Sequence, residues 1–144
     1  MKGKVKKFLI KIGAVLLLVI MVGGAIVSIK EKKESENAIH IVQSGVSKIN
    51  EDSNYKEVFE KYFLNVSWFT YKNSQGVRVV GFTGKRYMHD RDTMGDYEIS
   101  YIVDENTNTF KFYKGTCNGI ELNQIDMLKI TICAFSQVDS VDNY

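Results

Sequence analysis

Few residues in this chain combine the type and the spacing that chemistry needs. Its two histidines are His40 and His89. His89 sits in Tyr87-Met88-His89-Asp90-Arg91-Asp92-Thr93-Met94-Gly95-Asp96, where Asp90, Asp92 and Asp96 could be drawn around a metal ion. A calcium loop would want further oxygen ligands and a closing glutamate. Zinc would want more His or Cys. Lys85, Arg86 and Arg91 also offset the acids. The segment therefore reads as a solvated polar connection, and no metal or other cofactor is implied. Connections carry function more often than core positions do, so Arg86, His89 and Arg91 are candidate binding residues. A hydrolase built on His89 and its acids is the weakest functional reading.

Cys117 and Cys133 lie sixteen positions apart. In an oxidising compartment they could form a disulfide worth about 3 kcal/mol. The alternative is two free thiols packed as small hydrophobes. Alternation along the chain sets Cys117 with Lys111 and Tyr113, opposite Phe110 and Phe112, and Cys133 falls beside the apolar stripe expected for its helix. Both placements count against a bridge. No neighbour would lower either thiol pKa, so catalytic cysteines are not expected. Trp68, next to Phe69, reads as core. Tyr113, on the polar side with Lys111, is the better candidate for surface contact. Asn65-Val66-Ser67 matches the glycosylation sequon but runs straight into a strand. The sequence has no phosphate-binding loop, dinucleotide fingerprint, nucleophile elbow or HExxH motif.

The elements that position these residues follow from periodicity. Asn54 with Glu57 three residues later is a capping-box start. Tyr55, Val58, Phe59, Tyr62 and Phe63 then make one apolar stripe, with Lys56, Glu57, Glu60 and Lys61 opposite. This predicts a helix over about 55–64. The period changes to two in Ser67–Lys72, Gly76–Thr83, Asp96–Val103 and Thr109–Thr116, which are rich in aromatic and β-branched residues. Short turns at 73–76 and 104–108 imply antiparallel neighbours. Tyr97, Ile99, Tyr101 and Val103 share one face, and Glu98, Ser100 and Lys111 point to a second, wet face. Asn118-Gly119 signals a tight turn. Asn123 with Asp126 caps a last helix, whose expected stripe is Ile125, Leu128, Ile132 and Phe135. The expected fold is α+β: an N-terminal transmembrane helix, then a helix, a four-stranded antiparallel sheet and a C-terminal helix.

The chain has 144 residues and a net charge of +2, unevenly distributed. Residues 1–33 hold eight lysines against Glu31 alone. Residues 37–144 hold eleven Lys/Arg against fourteen Asp/Glu. An acidic domain lacks the basic docking surface that nucleic acid requires, so no nucleic-acid partner is expected. The absence of proline, with plentiful Lys, Asn, Ile and Tyr, suggests an AT-rich bacterial genome.

Residues 12–29 form an uncharged apolar run that includes Ile12, Leu16, Leu17, Val19, Ile20 and Ile26. Counted from Phe8 across Lys11, it is long enough for a hydrocarbon core of about 30 Å. Lys2, Lys4, Lys6, Lys7 and Lys11 precede or edge it, while Lys30, Lys32 and Lys33 follow. The excess favours a cytoplasmic N-terminus and an extracytoplasmic domain. The competing reading is a cleaved signal peptide, against which stand the length of the run and the lack of a clear small-x-small site. Gly24 and Ser28 form a small-xxx-small pair through which a membrane helix could join a larger complex. The organisation expected is a basic cytoplasmic tail (1–7), a transmembrane helix (8–29) and a linker with a short helix (30–53). An extracytoplasmic α+β domain (54–137) and a flexible tail (138–144) follow. In the linker, Ile39, Val42, Val46 and Ile49 make a short helical stripe interrupted by Gly45, with a short extended piece over Ile39–Gln43 as the alternative.

From Val42 to about Phe135 the chain resembles a family of small extracytoplasmic domains from Gram-positive bacteria. The matching pieces are Tyr55–Phe63, Trp68, Val79-Val80-Gly81-Phe82-Thr83-Gly84, Ile99–Asp104, Thr109-Phe110 and Asn118-Gly119. Members of that family often follow a membrane helix, sometimes with a cytoplasmic zinc ribbon before it. Only seven residues precede Phe8 here, and they contain no ribbon. The resemblance rests on core and turn residues and implies fold. It carries no catalytic set. The functional expectation is a single-pass membrane protein whose partners are the lipid bilayer and a protein or envelope component, without enzymatic activity.

Overall fold

The computed structural model describes residues 28–88 and 91–137. The basic tail and its lysines, the apolar run 8–29 apart from Ser28 and Ile29, His89, Asp90 and the tail 138–144 lie outside the described residues. Among the described residues no helix is long and apolar enough to cross a membrane. The chain divides into two compact units, Met1–Glu34 and Ser35–Tyr144.

The described part of the first unit is helical, with Lys30 and Glu34 paired one turn apart at 3.8 Å. Residues 28–43 are helical (α1), and in the second unit Ala38, Ile41 and Val42 belong to the core. The short helix expected within the 30–53 linker is present, running to residue 43, and the chain beyond it forms a hairpin and not an open linker. Only Val42 of the expected stripe is buried there. Val46 and Ile49 are exposed, because α1 ends before Gly45 and the chain turns back as a small hairpin. That hairpin pairs Val46–Ser47 (β1) with Asn50–Asn54 (β2). Gly45 is needed where it stands: a Cβ there would meet the Phe110 ring at 2.4 Å.

The capping box forms as its spacing implies. Asn54 Oδ1 accepts from the Glu57 amide at 2.9 Å, and the Glu57 carboxylate accepts from the Asn54 amide at 3.4 Å. The helix it opens, Tyr55–Tyr62 (α2), buries Val58 and Phe59, and Phe63 follows them into the core.

A five-stranded antiparallel meander follows: Leu64–Lys72 (β3), Arg78–Met88 (β4), Thr93–Asp104 (β5), Thr109–Cys117 (β6) and Ile120–Glu121 (β7). The sequence reading has four of these strands and misses the short fifth. Asn118 and Gly119 both take positive φ, 51° and 76°, which fits a two-residue hairpin between β6 and β7. Beyond it, Asn123 and Asp126 exchange amide-to-side-chain hydrogen bonds at 2.9 and 3.3 Å and open Gln124–Gln137 (α3).

The core lies between one sheet face and the three helices. Val80, Phe82, Ile99, Tyr101 and Val103 of the sheet meet Phe59, Phe63, Met127 and Phe135. Two expectations need correction. The buried residues of α3 are Met127, Ala134 and Phe135, with Ile130 packed against them. Ile125, Leu128 and Ile132 remain 64, 58 and 42% exposed. Apolar residues fall on several sides of this helix, so its period singles out no stripe, and the fit of Phe135 and Met127 against the other elements selects the face. The second sheet face is also less wet than expected. Thr83, Glu98 and Lys111 are exposed on it, but Val79 and Ser100 are buried. The Phe69 ring lies over Gly81, where a Cβ would meet it at 2.5 Å, and Tyr71 stacks beside Phe69 at 6.3 Å.

Candidate functional site

Tyr55 opens α2, and its amide donates to the Gly45 carbonyl at 2.9 Å. The ring is thereby held where β2, α2, α3 and the sheet converge. It stands edge-on to Phe110 at 5.0 Å and to Phe135 at 5.0 Å. Strand alternation puts Phe110 and Phe112 on the helix-covered face of β6, beside Val103 and Tyr101 of β5. On its other side β6 pairs with β7 only at Thr116 and Cys117. Alongside Phe110 and Phe112, α3 is therefore the flanking element, and it leaves a gap.

That gap is a cleft of about 370 Å³. Its walls are Tyr55, Tyr101, Phe110 and Phe112, with Met127 and Leu128 from α3. Lys111, Gln124 and Thr131 also border it, but strand alternation sends the Lys111 side chain to the other sheet face. The Thr131 hydroxyl already donates to the Met127 carbonyl at 2.9 Å. Size and lining suit a small, mainly apolar ligand with few polar contacts.

Tyr101 is the unusual member. It is 4% exposed, and its hydroxyl is buried without a hydrogen-bond partner. Most buried polar atoms have a partner, so an orphaned phenol calls for a reason. Burial raises its pKa well above the usual value near 10, and the neighbouring Tyr55 phenol adds to the shift. Burial also raises the pKa of Tyr55. Both phenols stay protonated at neutral pH, and Tyr101 keeps a donor available.

The residues singled out from sequence do not converge on this cleft. Arg86 Nη1 donates to the Tyr62 carbonyl at 3.0 Å, and its guanidinium lies 3.3 Å from the Tyr62 ring centroid. It holds the end of α2 against β4. Arg91 borders a different cleft, of about 410 Å³, where it is joined by Glu121, Asp126 and Lys129. Those charges are mixed in sign and mark no ligand class. Tyr113 is 40% exposed near the β5–β6 irregularity, with Lys114 Nζ at 5.9 Å from its ring. His89 lies outside the described residues.

The connection read as a polar loop over 85–96 is mostly paired strand. Lys85, Arg86, Tyr87 and Met88 lie opposite Asp96, Gly95, Met94 and Thr93. Lys85 Nζ meets Asp96 Oδ1 at 3.2 Å, which gives that carboxylate a partner other than a metal. Among the described residues no group of three or more His, Cys, Asp or Glu is placed to hold a metal ion.

Both cysteines are free. Cys117 Sγ lies 3.8 Å from Met88 Sδ, and burial, with the neighbouring Cys117 thiol adding to it, pushes the Tyr97 phenol up to about 12. Cys133 is exposed, and its proximity adds to the burial that raises the Tyr62 phenol pKa. Trp68 packs on the core side against Phe82, ring centroids 5.2 Å apart.

Tyr55, Tyr101, Phe110 and Phe112 were legible in the sequence only as core residues. Their signal as a site, an unpartnered Tyr101 hydroxyl within an all-aromatic group, needs the pairing of β5 with β6 to be seen. No known protein family, curated protein or solved structure matches the chain.

Proposed function

We propose that this chain is a single-pass membrane protein of a Gram-positive cell envelope. In this reading residues 8–29 are the anchor, the N-terminus is cytoplasmic and the α+β domain is extracytoplasmic. The domain is a non-enzymatic binding module, and the cleft between α3 and β6 is its binding site. The apolar run and the lysine excess at 1–11 support the anchor and its orientation. The observation that carries the binding reading is the buried, unpartnered Tyr101 hydroxyl in the wall of an aromatic cleft. An unsatisfied buried donor costs about 1–3 kcal/mol, a cost that a ligand supplying an acceptor would remove.

Two measurements test this. Protease added to intact protoplasts should digest the domain and spare the anchor; complete protection would overturn the topology. A photoreactive residue at Leu128 should trap a defined product in intact cells, while the same residue at Arg91 or Tyr113 should not. Identical neighbours from all three positions would remove the cleft as the site.

A further inference from the structure

We propose that Cys117 and Met88 together bind a soft monovalent metal ion of the Cu(I) class. The site is separate from the cleft beside Tyr101 and does not depend on it. Strand register brings the two sulfurs together. Met88 ends β4 opposite Thr93 of β5, and Cys117 ends β6 opposite Tyr97 of β5. Thr93, Gly95 and Tyr97 alternate onto one face of β5, so Met88, Gly95 and Cys117 share that face. Gly95 puts no side chain between them: a Cβ there would lie 3.1 Å from Met88 Sδ and 3.2 Å from Cys117 Sγ. Over this bare position the two sulfurs stand 3.8 Å apart.

Two sulfurs bound to one ion at about 2.3 Å, with a tetrahedral angle between them, stand about 3.8 Å apart. The pair can therefore share an ion without any movement of the strands. That separation is also an ordinary sulfur contact, so the choice of ion rests on the donors. A thioether is neutral and polarizable. Calcium and magnesium take oxygen ligands instead, and zinc sites are built of Cys, His and carboxylates. A thiolate beside a thioether is the soft set that selects Cu(I). Cu(I) accepts low coordination numbers, so two protein sulfurs hold it and leave a further position to solvent or a small ligand.

Charge and access point the same way. Met88 and Cys117 are both half-buried, and both line the cleft of about 410 Å³. The charged residues around that cleft, Arg91 and Lys129 against Glu121 and Asp126, cancel. As the metal–sulfur bond forms, the Cys117 thiol gives its proton to water. A thiolate with a monovalent cation is then neutral, whereas a divalent ion would leave a net positive charge in a half-buried place, which is costly.

The test uses the full chain in lipid nanodiscs, reduced, isotope-labelled at its methionine methyls and carrying Cys133→Ser to remove the other thiol. Ag(I), a redox-inert stand-in for Cu(I), should shift the Met88 methyl signal, saturate at about one ion per chain and leave Met94 and Met127 in place. Zn(II) should not shift it. In competition with a colorimetric Cu(I) chelator, Met88→Leu should weaken Cu(I) binding at least tenfold, and Cys117→Ser should abolish it. Cu(I) held as tightly by Met88→Leu would reduce the site to a lone thiol and overturn the proposal. Binding retained by Cys117→Ser, or equal Ag(I) shifts at every methionine, would show adventitious uptake and overturn it too. Zn(II) shifting the Met88 methyl as Ag(I) does would overturn the soft-ion assignment. The Ag(I) and Zn(II) titrations need neither substitution at the site, so they decide the matter even if one of those variants does not fold.

Discussion

Tyr55 and Tyr101 stand edge to face, their ring centroids 6.0 Å apart and their planes at 87°. Tyr55 also meets Phe59, Phe110 and Phe135 at 5.0–5.2 Å. The first residue of α2 is thus the point where α2, α3 and the two strands β5 and β6 touch. Replacing it should loosen the whole layer. Tyr55→Ala is expected to cost about 3 kcal/mol, the low end for losing a core aromatic ring, because Tyr55 is only partly buried. Tyr55→Phe should cost less than about 1 kcal/mol. Denaturant unfolding of both variants checks the contrast.

Tyr101→Phe should act in the opposite direction. It deletes a hydroxyl that has no partner and keeps the ring. The ligand-free protein should gain about 1 kcal/mol, because the cost of an unsatisfied buried donor disappears. A shift of the denaturant midpoint to higher concentration, at constant slope, is the expected result. A loss of stability would mean that the hydroxyl has a partner in solution.

Alkaline pH should destabilise the fold. The phenols of Tyr55, Tyr62, Tyr97 and Tyr101 all have raised pKa values, Tyr97 at about 12 and Tyr101 well above 10. A phenol whose folded pKa exceeds its unfolded value near 10 contributes stability that is complete below pH 10. Above that pH the unfolded chain releases the proton while the folded chain keeps it, so stability falls as pH rises. For Tyr97 the loss runs from about pH 10 to about pH 12. Unfolding measured from about pH 9 to about pH 11 (roughly one unit either side of the unfolded value) should show a steep decline at the upper end. Tyr101→Phe should make that decline shallower.

Gly81→Ala should be costly although its φ is ordinary. A Cβ there would lie 2.5 Å from the Phe69 ring and 2.9 Å from the Ile99 carbonyl oxygen. Phe69 can rotate away only by uncovering the sheet face, and the Ile99 carbonyl is backbone. About 1–3 kcal/mol is expected. Gly76→Ala meets open space and should lose only about 1 kcal/mol, through its positive φ of 74°. Thermal unfolding of the pair separates steric from backbone cost.

The two helix starts should respond alike. Asn54 and Asn123 each accept the amide of the residue three positions on, both at 2.9 Å. Asn54→Ala and Asn123→Ala should each cost about 1 kcal/mol. Asn54→Asp and Asn123→Asp should retain most of that, since a carboxylate accepts the same bond and is favoured at a helix N-terminus.

Local features were legible where one interaction decides the outcome. The α2 stripe could be read because Lys56, Glu57, Glu60 and Lys61 mark the opposite face. The continuation of β4 through Lys85-Arg86-Tyr87-Met88 was masked by charge, since a run of basic residues reads as loop until its pairing with 93–96 is known. Residues 38–42 read as a short helix in a linker, outside the domain, because a helix with a broken stripe has no evident surface to face. Their burial follows from the sheet that supplies the partner surface.

The sequence by itself determined the α+β class, the two capped helices, the antiparallel strands and the Asn118-Gly119 turn, since each depends on residues a few positions apart. Tertiary structure alone decided which side of α3 is buried. It exposed Leu128 and left Tyr101 in the wall of a cleft with its hydroxyl unpaired. A helix with apolar residues on several sides has no single preferred orientation until the shape of the opposing surface selects one. A phenol's partner depends likewise on groups brought near it by strands and helices distant in the chain.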